Sequence, residues 1–227
     1  KAGPDLMALL DLVALGTVAD VAQLKGLNRA FVAQGLKVMA RRGNIGLSAL
    51  ADVARLKTAP GAHELGFALG PRINAGGRVG QADLGVRLLT TSDASEARDI
   101  SAELDRLNEE RRAIEAAVTE QALELSEGTA NAPIAIVSAP GWHPGVIGIV
   151  AGRLKEKLRR PAIVIALDED GVGKGSGRSI PGVDLGGAII AARDAGLLVA
   201  GGGHAMAAGL TVAAGGVPAL TQWLADR

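Results

Sequence analysis

The stretch "SDASEARDISAELDRLNEERRAIEAAVTEQALELSEG", residues 92–128, leaves the chain few conformations to choose from. It contains no proline, and its only glycine is the last residue. Ile100, Leu104, Leu107, Ile114, Val118 and Leu125 recur at steps of three and four, with Arg111 and Gln121 interrupting the stripe. Asp93 and Glu96 have the spacing of a capping box, and Gly128 is a natural stop. One helix of about 35 residues follows, spanning roughly 50 Å at 1.5 Å per residue. So narrow an apolar stripe cannot be buried all round. The helix either lies along one domain or, the preferred reading, connects two. The expected organisation is therefore residues 1–91, a connecting helix over 92–129, and a second domain over 130–227.

Residues 4–90 read as helical. "DLMALLDLVALGTVADV" is apolar almost throughout and is expected to be a buried element. "NRAFVAQGLKVMARRG" puts Phe31, Val32, Leu36 and Met39 on one face and stops at Gly43. "GLSALADVARL" and "QADLGVRLLTT" supply two more helices. Between them "LGFALGPRINAGGRVG", glycine-rich and interrupted by Pro71, reads as irregular.

After residue 130 strands and helices alternate. "PIAIVS" and "PAIVIAL" are short buried strands around the helix "PGVIGIVAGRLKEKLRR", which is basic at its end as the dipole prefers. "GVGKGSGRSI" reads as a strand or loop and "VDLGGAIIAARDAG" as a helix. "LLVAGGGHAMAAGLTVAA" reads as strand, loop, short helix and strand, and "VPALTQWLADR" closes with a helix. The fold class is α/β: a helical first part, the long helix, then a mixed or mostly parallel sheet covered by helices.

Composition narrows the chemistry. The 227 residues contain no cysteine, which excludes disulfides, thiolate metal sites and cysteine nucleophiles. Lys plus Arg equals Asp plus Glu at 24 each, so any affinity for polyanions must come from a local patch. Aromatics are 2% and glycines number 32, so the core is aliphatic and relies on close backbone approach. No apolar run reaches the ~18 residues of a membrane span, and no signal peptide is legible, so a cytoplasmic protein is expected. "KAGPDLMALLDLVALG" reads like the middle of a longer chain.

Two glycine-rich stretches fall in the second part, and the first invites a nucleotide-binding reading that fails its tests. "GVGKGSGRS" lacks P-loop spacing, and "SIPG" separates it from the next helix. It does offer Lys174, Ser176, Arg178 and Ser179, donors suited to phosphate, although a hairpin with solvated charges needs no ligand. In "GGGHAMAAG", Gly202, Gly203 and His204 are expected at a helix start, where bare amides bind anions. Trp142 either stacks on a base or caps an aromatic-poor core, and His143 beside it precedes a helix. The run Arg153, Lys155, Lys157, Arg159 and Arg160 is a solvated face or the rim of a site. Arg72, Asn74 and Arg78 are placed to hold a phosphodiester backbone if their segment is a loop, and are surface residues otherwise. Asp20, at an element's end, is the candidate metal ligand; Asp11 reads as a helix-surface or capping carboxylate. One carboxylate cannot hold a catalytic pair of divalent ions.

"DLVALGTVADV", "LGFALGPRINAGGR", "GWHPGVIGIVAGRL", "GSGRSIPG" and "GGHAMAAGLT", in this order, resemble the bacterial single-stranded-DNA-specific exonucleases of the DHH phosphoesterase family. The resemblance covers nearly the whole chain. It implies the later part of a DHH catalytic domain over 1–91 and a DHHA1 nucleic-acid-binding domain over 130–227. It further implies metal-dependent 5′→3′ hydrolysis of single-stranded DNA in repair and recombination. Mn²⁺ or Mg²⁺, two ions, would be held mostly by ligands outside this chain, with Asp20 as this chain's catalytic ligand and Asp11 as second choice. The DNA-binding role falls on Arg72, Asn74, Arg78, His143, Ser176, Arg178, Ser179, Gly202, Gly203 and His204. Single-stranded DNA is the implied partner, with single-strand-binding protein and a repair helicase beside it. No OB-fold is legible. Two alternatives stand: an oligonucleotide or cyclic-dinucleotide phosphodiesterase of the same family, and a non-catalytic nucleic-acid-binding relative.

Overall fold

The computed structural model describes residues 5–128 and 132–227. The chain divides into two compact units, residues 1–111 and 112–227, and the long helix passes from one to the other. In the first unit the helices are α1 (Leu10–Ala19), α2 (Gly26–Met39), α3 (Ile45–Val53), α4 (Ala62–Glu64), α5 (Gly70–Val79) and α6 (Leu84–Thr90), followed by the start of α7 (Ala94–Glu127). A π-helical turn, Leu65–Leu69, joins α4 to α5. The core gathers Ala14, Leu15, Val32, Leu50, Leu65, Leu69, Leu88 and, from α7, Ile100, Leu104 and Leu107.

With so few rings available, these helices pack backbone to backbone. A Cβ on Gly35 of α2 would lie 2.7 Å from Ala14 Cβ and run into the Leu10 carbonyl of α1. A Cβ on Gly46 of α3 would run into the Leu88 carbonyl of α6. The face of α2 differs in one residue from expectation: Val32, Gly35 and Met39 are buried, while Phe31 is 42% exposed. The close approach at Gly35 sets the phase and turns Phe31 outward.

The segment "GPRINAGGR" is a helix, which overturns the irregular reading. Pro71 stands in the first turn of α5, where a missing amide costs no hydrogen bond. Gly76 is there for proximity, since a Cβ on it would lie 3.2 Å from Leu104 Cδ2 and 2.9 Å from the Gln81 carbonyl.

The 34-residue α7 begins as its sequence suggests but with a different lock. Asp93 Oδ1 accepts from the Ser95 amide at 2.7 Å, whereas the Asp93 amide donates to the Thr91 hydroxyl oxygen and not to Glu96. The Glu96 carboxylate accepts instead from the Thr91 hydroxyl at 2.6 Å and from Arg87 at 3.0 Å. The Thr91 hydroxyl, and after it Arg87, hold the Glu96 carboxyl below the usual glutamate range. Near the other end Leu125 is 49% exposed, and Ala122 and Ser126 take its place on the buried stripe.

The second unit contains the rest of α7 and five strands: β1 (Ala135–Pro140), β2 (Ala162–Leu167), β3 (Val172–Arg178), β4 (Ala200–His204) and β5 (Ala207–Ala213). Its helices are α8 (Ile147–Leu158), α9 (Leu185–Asp194) and α10 (Val217–Ala225). Sheet order is β1-β2-β3-β5-β4, with β1 and β2 parallel and every other pair antiparallel. The sheet is mixed, as the α/β reading allows.

Strand β3 explains its own composition. Gly173, Gly175 and Gly177 alternate with Lys174, Ser176 and Arg178, so all three glycines share one face. That face is the core. A Cβ on Gly175 would lie 2.6 Å from Leu210 Cδ1, and one on Gly177 2.7 Å from Leu185 Cδ2. The neighbours' aliphatic side chains fold over the bare strand and join Ile163, Ile165, Ile189 and Val212 in the core against α9 and α10.

"GGGHAMAAG" is a β-hairpin, which overturns the loop-and-helix reading. His204 ends β4 and pairs with Ala207, the first residue of β5. The turn between them is anchored from outside, where the Leu185 amide donates to the Ala205 carbonyl at 3.2 Å and the Ser179 amide to the Met206 carbonyl at 3.0 Å. The small residues that suggest a helix start alternate in burial instead.

These packing roles separate two kinds of glycine. Gly175→Ala should cost about 1–3 kcal/mol by overpacking the core face. Gly202→Ala, with nothing within 4 Å of the new Cβ, should stay within about 0.5 kcal/mol of the parent. Urea midpoints of the two variants check this, and equal midpoints would show that β3 does not need its bare face.

Candidate nucleic-acid interface

Residues paired across antiparallel strands project from the same side of a sheet. The register therefore sorts the polar face of the second unit into rows. One row is Ala162, Arg178, Ala207 and His204; the next is Val164, Ser176, Gly209 and Gly202; the third is Ala166, Lys174, Thr211 and Ala200. Helix α8 packs against the β2 and β3 end of this face, where Ala162, Val164 and Ala166 are buried. Over β5 and β4 the face carries little: Gly202 has no atom near its missing Cβ, and Gly209 has only the Gly175 carbonyl at 4.0 Å. The middle row is thus a floor of bare backbone, with Ser176 at one end.

Donors flank that floor. Arg178 donates from one guanidinium nitrogen to Ser176 Oγ at 3.1 Å and to the Gly177 carbonyl at 2.8 Å. Lys174 Nζ donates to Thr211 Oγ1 at 3.2 Å. His204 is exposed at the end of its row. No acidic side chain occurs in the three rows. A shallow side-chain-free floor between cationic and hydroxyl donors suits a sugar-phosphate backbone.

Other expected contacts do different work. Ser179 is 1% exposed and its hydroxyl donates to the Val183 carbonyl at 2.8 Å, so it fastens the β3–α9 connection. Gly203 lies on the opposite face from Gly202, where a Cβ would fall 2.6 Å from Ala208 Cα; its bareness serves the hairpin. Trp142 is buried and its indole donates to Gln121 of α7 at 2.8 Å, which decides for the core role over base stacking. His143 accepts from the Gly145 amide on Nδ1 at 3.0 Å and lines a cavity of about 540 Å³ with Lys174, Asp168 and Glu169. Of the basic run on α8, Arg153 pairs with the buried Glu115 of α7, and Arg160 donates to the Ala132 carbonyl.

In the first unit Arg72, Asn74 and Arg78 share α5. Arg72 is largely consumed internally: its Nε donates to Asp105 of α7 at 2.7 Å and its NH1 to the Ala68 carbonyl at 2.9 Å. Asn74 is exposed, and Arg78, in the last turn of the helix, is half-buried.

The two carboxylates exchange places. Asp20 is an exposed residue at the C-terminal end of helix α1. Asp11 is 4% exposed, so the surface reading fails. It accepts from the Leu12 amide at 2.8 Å and lines two cavities, of about 200 and 420 Å³. Among the described residues no three Asp, Glu, His or Cys side chains gather into a possible metal site. The described residues by themselves do not make up a divalent centre.

Three participants escape a reading of the sequence alone: Gly209, Thr211 and Gly148. The first two carry a signal, because the alternation "GKGSGR" pairs with "AAGLTV" as two strands. Gly148, in the first turn of α8, carries none; only the fold brings it against Ser176 and Arg178.

The chain matches known proteins along these elements. Residues 131–226 match the DHHA1 domain. The chain is 46% identical over 220 residues to the single-stranded-DNA-specific exonuclease RecJ of Dickeya dadantii, covering 93% of this chain and 38% of that protein. It is 43% identical to RecJ of Bacillus subtilis, covering 93% of this chain and 27% of that one. The crystal structure of RecJ in complex with Mn²⁺ from Thermus thermophilus superposes with a TM-score of 0.88 at 37% identity, covering 98% of this chain and 33% of that chain. A second structure of that protein contains Mg²⁺. The chain thus spans well under half the length of these relatives.

The Arg72–Asp105 pair generates a stability test. Both side chains are mostly buried, at 14% and 28% exposure. Arg72→Ala should cost about 2 kcal/mol, the scale of a hydrogen bond to a charged group, read as a lower denaturation midpoint. An unchanged midpoint would return Arg72 to the surface.

Proposed function

The chain belongs to the RecJ family, and from that premise we propose that its α/β unit grips the sugar-phosphate backbone of single-stranded DNA on behalf of a nuclease. The row of Ser176, Gly209 and Gly202, bare and flanked by Arg178, Lys174 and His204, carries this reading. Arg178 supplies a forked donor, Lys174 a point charge, and Ser176 and Thr211 neutral donors. Where side chains are missing, the strand can approach the sheet itself. Contacts of this kind position a strand without reading its bases.

The reaction served is metal-dependent hydrolysis of DNA phosphodiesters, proceeding 5′→3′ in repair and recombination in the cytoplasm, with single-strand-binding protein and a helicase as partners. The relatives' names as single-strand exonucleases, and the Mn²⁺ and Mg²⁺ in their structures, support the nuclease and the ion; direction, pathway, partners and location rest on the family resemblance. This chain's described residues contribute binding, and no metal-borne step is assigned to them. Asp11, buried beside two cavities, is the better placed carboxylate to complete a centre whose other ligands lie elsewhere, and Asp20 is second. Arg78 and Asn74 of α5 add a second patch of backbone contacts.

Fluorescence anisotropy with a labelled single strand tests the reading. The chain should bind with an affinity that falls as salt rises, and Arg178→Ala should make the log–log salt slope shallower by about 0.7, the value for one phosphate contact on a single strand. An unchanged slope removes Arg178 from the interface. With Mn²⁺ alone the chain should release no nucleotides from that strand; release would mean that it assembles a metal centre unseen in its described residues.

A further inference from the structure

We infer that Gly148 is a positioning residue: its missing side chain makes the slot in which Arg178 and Ser176 are held for the DNA backbone. The inference rests on the binding role given above to Arg178 and Ser176. Gly148 is the second residue of α8. A Cβ there would lie 3.0 Å from one guanidinium nitrogen of Arg178, 3.0 Å from Ser176 Oγ and 3.7 Å from Ser176 Cβ. The two closest atoms are the working ends of the two residues. Neither is backbone, and neither belongs to the core.

This sets Gly148 apart from the close glycines of the cores and the hairpin. At Gly35, Gly46 and Gly203 a Cβ would strike backbone atoms, and at Gly175 it would strike the body of Leu210. Substitution at those sites attacks the fold. At Gly148 it displaces a guanidinium tip and a hydroxyl, which move without disturbing what lies beneath. Arg178 now spans from Gly148 to Ser176 Oγ and the Gly177 carbonyl on its own strand. A methyl group on α8 would push the fork off that seat. Ser176 faces the same methyl, so both donors shift together.

One turn further along the same helix is a built-in control. Gly152 has nothing within 4 Å of its missing Cβ. Alanine is the better helix former at either position. Gly152→Ala should therefore preserve single-strand binding and raise the melting temperature.

The test is a double-mutant cycle in the whole chain, read by anisotropy with a labelled single strand across a salt series. Gly148→Ala should weaken binding and make the salt slope shallower by about 0.7, as loss of one phosphate contact does, with a melting temperature no lower than the parent's. Added to Arg178→Ala it should weaken binding by less than it does alone, because the Arg178 contact is already gone and only Ser176 is left to displace. Parental affinity and slope in Gly148→Ala would overturn the inference. So would a full additional loss in the Arg178→Ala background, which is the signature of general damage to the fold and is readable even if Gly148→Ala melts early. If instead Arg178→Ala itself binds like the parent, the proposed interface fails, and that result is distinct from either outcome at Gly148.

Discussion

The second unit depends on one steric fact: the core face of β3 has no side chains. Leu210, Leu185, Ile165 and Val212 occupy the space that Gly173, Gly175 and Gly177 leave free. A central strand with glycine at every core position forgoes its own apolar contacts and carries a backbone-entropy penalty. Its neighbours offset that by closing over it from both sides. Because side chains alternate, the same strand delivers Lys174, Ser176 and Arg178 to the opposite face in a single line. The packing solution and the proposed binding surface are two faces of one alternation.

The helical unit uses the same device in another geometry. Gly35, Gly46 and Gly76 each stand where a neighbouring element comes too close for a Cβ. A chain with 2% aromatic residues has no large rings to fill gaps between elements, so it closes the gaps. Many of its glycines act as spacers within helices and strands more than as joints between them. The anchoring of the hairpin turn by Leu185 and Ser179 belongs to the same pattern of short distances.

That pattern decides what is legible in the sequence and what is not. The long helix, the strand–helix alternation after residue 130 and the mixed sheet rest on local periodicity and can be read. "GPRINAGGR" and "GGGHAMAAG" mislead because glycine ordinarily signals irregular backbone. Each glycine instead makes room for a particular neighbour: Gly76 for Leu104 and the Gln81 carbonyl, Gly201 for Ile189, and Gly203 for Ala208 of the paired strand. Arg72 is spent on Asp105, 33 positions away, and Trp142 on Gln121, 21 away, so neither fate has a local signature. Asp11 reads as a surface carboxylate because the apolar run around it has no clear polar side. Lys174, Ser176, Arg178 and His204 are identifiable as residues, while their common face becomes visible only through the register.

A chain of zero net charge can still attract a polyanion, because attraction depends on where the charges are. The acids near β3 are Asp168, Glu169 and Asp170, in the turn before it, and the Asp168 carboxylate is already engaged with the Asp170 and Val172 amides. The rows themselves offer only donors and bare backbone. On the proposed reading such a surface contacts the repeating part of a nucleic acid, which positions a strand without reading its bases. The role proposed above asks for a grip that holds every sequence equally well. Where Gly202 and Gly209 leave the face bare, it presents no side chain that could prefer one base to another.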